Sequence, residues 1–178
     1  MTILTSSRDD ESSMEIGGRG VFTSLLIEAL DGGAANIQGD ITPGSIYAFI
    51  DQALGAWELR PLFKTNIQKF VSIRSVVPRI SLDELRVLSE CFASPCVEMK
   101  LDPSFEFTNT SDVQHKVIEP CAKEENVQIF KKLQKLESVG LIEPVGEEHM
   151  YFAAMNSKGC KLTTLGQYYW KLLSEKRI

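Results

Sequence analysis

The stretch Thr2-Ile3-Leu4-Thr5-Ser6-Ser7-Arg8-Asp9-Asp10-Glu11-Ser12-Ser13-Met14-Glu15 decides how the first part of this chain is read. Ile3 and Leu4 are adjacent apolar residues between two threonines. β-branched and apolar residues in so short a run predict a buried strand. Burial of consecutive side chains means cover on both faces, as for an inner strand of a parallel sheet. The serines and acids that follow predict a polar loop.

Outward from there, Gly17-Gly18-Arg19-Gly20 is a flexible entry to a helix. Val21, Phe22, Leu25, Leu26, Ala29 and Leu30 recur at helical spacing, and Asp31-Gly32-Gly33 stops them. Thr42 can cap a second helix, with Pro43 at its first position. Ile46, Phe49, Ile50, Ala53 and Leu54 give that helix its buried face. Leu59 to Phe63 predicts an extended connector, and Asn66 to Val77 a strand carrying Ile67, Val71 and Ile73. The order strand, helix, helix, strand predicts an α/β part with helices packed on a sheet.

These residues resemble the rear half of caspase-like cysteine peptidases, metacaspases included. In that family a short apolar strand is followed by small residues, an acid, and a second acid a few positions later, as in residues 2–15. Gly18-Arg19-Gly20-Val21-Phe22-Thr23 is similar to the family's Gly-x-Gly-x-Phe-Thr step. Gly39-Asp40-Ile41-Thr42 leads into a second helix in the same way. Arg60-Pro61 with an aromatic residue two positions on resembles a Gln-x-Pro segment, where Leu59 departs from the glutamine. Lys69 to Ile73 stands where the family has its last strand. The likeness spans residues 1–78 of 178.

The resemblance implies chemistry in which a cysteine thiolate attacks the peptide carbonyl and a histidine handles the proton. It also places both groups upstream of the matched segment. Cys91, Cys96, Cys121, Cys160, His115 and His149 all lie beyond residue 78, outside any matching motif. The chain is therefore expected to be inactive alone, and to need a second chain carrying the Cys–His segment. The resemblance further implies that Asp9 or Asp10 lines the pocket for the residue before the cut bond. A carboxylate there would take a basic side chain of a peptide substrate through a charge-assisted contact. Family members differ in register, so both acids stand. The plainer alternative is a solvated acidic turn.

Residues 79–125 are expected to be a linker with short helices. Within it Leu82, Leu85, Leu88 and Phe92 share one helical face, and Asp112 to Glu119 predicts a short helix ending at Pro120. Residues 126–178 read as helix, strand, turn, strand, helix. Asn126 would cap the first helix, 141–145 and 150–155 would be the strands, and Glu147-Glu148 the turn. Thr163 or Thr164 would start the last helix. This α+β pattern resembles a winged helix-turn-helix. Lys131, Lys132 and Lys135 are then the candidate nucleic-acid contacts. Segment 126–178 holds eight Lys/Arg against five Asp/Glu. However, an acidic wing tip and the lack of base-reading pairs favour a protein partner over DNA. Tyr151, Phe152, Tyr168, Tyr169 and Trp170 are expected to pack together in the core.

Composition sets the limits. The chain is 43% apolar and 24% charged, with net charge −5, which predicts a folded core and disfavours nonspecific nucleic-acid binding. No apolar run approaches the roughly 20 residues of a membrane span. The N-terminus lacks an apolar leader segment, so a cytoplasmic protein with reduced thiols is expected. No cofactor is expected: the glycines form no G-x-x-x-x-G-K loop, and the Cys and His spacings match no zinc pattern. The alternative to a peptidase part is a non-catalytic scaffold or regulatory module whose winged-helix part docks a protein or DNA.

Overall fold

The computed structural model describes residues 1–6, 15–16, 19–54, 61–69, 71–111 and 117–178. The chain is mixed α/β and divides into two compact units, Met1–Arg79 and Ile80–Ile178. Among the described residues, no helix is long and apolar enough to cross a membrane.

In the first unit, β1 (Thr2–Thr5) lies antiparallel to β5 (Leu62–Thr65), with Leu4 opposite Phe63. Between them come β2 (Glu15–Ile16) and β3 (Arg19–Gly20), which pair as a small hairpin, then α1 (Val21–Glu28) and α2 (Pro43–Leu54). Strand β4 (Asp40–Ile41) pairs with β6 (Arg74–Ser75). Helix α2 begins as its sequence predicts. The Ser45 N–H donates to Thr42 Oγ1 at 3.1 Å, and the Thr42 N–H donates to Ser45 Oγ at 3.0 Å. Two donors at the helix start are thus satisfied locally. Ala29, Ala34, Ile41, Ile46 and Ile50 form the core, with Leu4, Phe22, Leu25 and Leu26 packed on it. Burial of each of Ile41, Ile46 and Ile50 contributes roughly 1.5–3 kcal/mol.

Three expectations change here. Strand β1 has no parallel neighbour among the described residues; its partner is the antiparallel β5, because the chain returns alongside it after two helices. One face of β1 is covered, through Leu4, while Ile3 on the other stays 37% exposed. The end of the connector expected at Leu59 to Phe63 belongs to the return strand Leu62–Thr65, with Phe63 stacked on Tyr47 at 5.0 Å. The expected strand from Asn66 shrinks to Arg74–Ser75, and Val71 and Ile73 are 72% and 56% exposed. Ile67, Val71 and Ile73 would share one face of an extended chain, but all three are exposed, so that face gains no cover to hold a longer strand.

In the second unit α3 (Leu82–Cys91) is followed by β7 (Met99–Lys100), a single 3-10 turn at Pro103–Phe105, α4 (Glu124–Ser138), β8 (Ile142–Val145), α5 (Met150–Met155), β9 (Gly159–Leu162) and α6 (Thr164–Ser174). The three strands form one antiparallel sheet in the order β7-β9-β8. Leu88, Phe92, Phe130, Leu133, Leu136, Leu141 and Ile142 are buried. Residues 79–125 are thus more than a linker: α3 buries Leu85, Val87 and Leu88 within the same unit as α4 and α6. Leu82, expected on the buried face, is exposed.

Met150 to Met155, expected as a strand, is a helix. Met150, Ala153 and Ala154 are buried at the i, i+3, i+4 spacing of a helical face, and alanine favours the helix. The strand beside β8 is instead Gly159–Leu162. Asn126 does not cap α4, which starts at Glu124; its amide donates to Ser104 Oγ at 2.6 Å. Thr163 does cap α6, accepting from the Gly166 N–H at 3.1 Å. The expected short helix at 112–119 falls largely outside the described residues.

Candidate functional site

Asp9 and Asp10, the two candidate pocket acids, lie outside the described residues, as do Arg8, Glu11, Gly17, Gly18, Leu59 and Arg60. The elements that bracket them are described. Strand β1 precedes the acidic segment, and the β2–β3 hairpin, with Ile16 opposite Arg19, follows it and leads to α1. Helix α1 starts at Val21, with Gly20 at its N-cap position and no side-chain cap, and the Ser24 hydroxyl donates to the Gly20 carbonyl at 3.3 Å.

No thiol is hydrogen-bonded to His149 among the described residues, so no Cys–His pair forms there. Cys160 is fully buried, and burial first, then the neighbouring Cys91 and Glu137, push its thiol up to about 12. Such a thiol is not a nucleophile at neutral pH. Burial also raises Cys91, with Glu90 adding to the shift and Lys132 opposing it. Cys121 is exposed, and its thiol donates to Glu119 at 3.5 Å, which raises it too. The His149 ring lies 6.2 Å from that of Phe152. Burial lifts the Glu137 carboxyl above its ordinary value, against the pull of His149. His115 lies outside the described residues. No group of three or more metal-ligating side chains occurs among the described residues.

The candidate nucleic-acid lysines sit on α4, exposed, but not as an equal trio. Lys135 Nζ is 2.7 Å from Glu84 Oε1, which closes the start of α3 against α4. Lys131 and Lys132 remain. Glu124 and Glu125 occupy the first turn of the same helix. Counted over residues 80–178, twelve Lys/Arg face fifteen Asp/Glu, so the local excess of positive charge in 126–178 is reversed in the unit as a whole.

The aromatic residues do not form one cluster. Tyr151 and Phe152 meet edge to face at 5.2 Å and are exposed, and Tyr168 and Tyr169 pair separately at 6.2 Å. Trp170 donates its indole N–H to the Phe92 carbonyl at 2.8 Å, tying α6 to the end of α3. An open cleft of about 510 Å3 lies beside the turn before α5, lined by Gly146, Glu147, Glu148 and Phe152. The acids of that turn were legible in the sequence; their position beside an aromatic face depended on residues 150–155 being a helix.

Comparison of the chain with protein-family models, with curated proteins and with solved structures found no match.

Proposed function

We propose that the first unit is the pocket-side part of a caspase-like cysteine peptidase, with its Cys–His dyad supplied by another polypeptide segment. In this assignment the dyad-bearing segment brings the thiolate that attacks the scissile carbonyl and the histidine that protonates the leaving amine. Asp9 or Asp10 holds a basic side chain of the substrate, so that the bond following it is presented to the thiolate.

The observation that carries the proposal is the arrangement of one strand, two helices and a return strand with cover on a single face. Leu4 packs on the helices while Ile3, on the opposite face of β1, stays exposed. The order strand, helix, helix, strand is the one that the resemblance implies for the rear half of such a peptidase. The test is to find a Cys–His segment, encoded in frame upstream of Met1 or on a neighbouring chain, and express it with this one. Hydrolysis of an arginyl peptide should need both parts. Absence of hydrolysis from the combined, folded parts would overturn the proposal.

A second assignment concerns residues 80–178: a winged-helix-like module that docks protein rather than DNA. Support comes from the sheet order β7-β9-β8, with α4 leading directly into β8. The six-residue α5 stands where a wing turn would be, a departure from that pattern. In such modules the start of the recognition helix approaches the bases. Here that start carries Glu124 and Glu125, which repel phosphate. A mobility-shift assay on duplex DNA should show no complex even at about 50 mM salt, where phosphate contacts are strongest. A complex that weakens steeply with salt would restore DNA as the partner.

A further inference from the structure

We draw no further inference here: the strongest candidate, the open acidic cleft beside α5 lined by Gly146, Glu147, Glu148 and Phe152, carries nothing because Glu147 already accepts from the Asn156 amide at 2.9 Å and nothing in the structure shows what covers it.

Discussion

Gly166 shows how a single residue fixes an approach between elements. A Cβ built there would lie 1.8 Å from the Leu141 carbonyl oxygen. That oxygen accepts from the Thr163 N–H at 3.1 Å, so the contact lies where α6 is anchored to the strand region before β8. Backbone atoms cannot move aside as a side-chain tip can. Gly166→Ala is expected to cost about 3 kcal/mol, at the upper end of overpacking. Urea unfolding of the variant checks it, and a loss under about 0.5 kcal/mol would mean that α6 shifts freely. Asn109 works at the same scale. Fully buried, it donates to the carbonyls of Pro103, Ile118 and Pro120 and accepts from the Ile118 N–H. The caps at Thr42 and Thr163 were legible because their partners lie three residues away. The Asn109 partners lie up to eleven residues away, and nothing in local pattern announces them.

At the scale of elements, α3 is held by a capping box and one ion pair. The Ser81 side chain accepts from the Glu84 N–H, and Glu84 reaches back to the Ser81 N–H at 2.7 Å. Burial acts to raise the Glu84 carboxyl. Hydrogen bonds from Lys135 and Ser81 outweigh it and hold the carboxyl below its ordinary value. A carboxyl lowered in the folded state contributes stability above its unfolded pKa, near 4.3 for glutamate. That contribution is lost as pH falls through the lower, folded value. The pair is partly exposed, so its worth is no more than about 1 kcal/mol. Glu84→Gln should therefore destabilise at pH 7, by an amount that shrinks as pH falls below the unfolded value, as read from urea midpoints across that range. A difference that grows on acidification would contradict the assignment. The same scale explains the misread at 150–155. Six mostly apolar residues fit a strand or a helix, and the buried Met150, Ala153 and Ala154 settle it only once the sheet has taken Gly159–Leu162 instead.

Across the whole molecule, the division between Arg79 and Ile80 follows where the two hydrophobic cores close. The order of helices was legible in the first unit and, α5 apart, in the second, since long amphipathic runs such as 124–138 bury Val127, Phe130, Leu133 and Leu136 on one stripe. Strand pairing was not, because two- and four-residue strands carry almost no periodic signal and depend on distant partners. The candidate pocket was legible only as a run of acids between an apolar pair and a glycine-rich stretch. In the proposed peptidase a carboxylate there would select a cationic side chain. The direct measurement is kcat/KM of the reconstituted peptidase on an arginyl peptide and on its uncharged citrullinyl counterpart, for the parent chain and for Asp9→Asn with Asp10→Asn. The arginyl peptide should be preferred, and the double change should cut that preference at least about tenfold, equivalent to about 1.4 kcal/mol. An unaltered preference, or none in the parent, would contradict the pocket assignment.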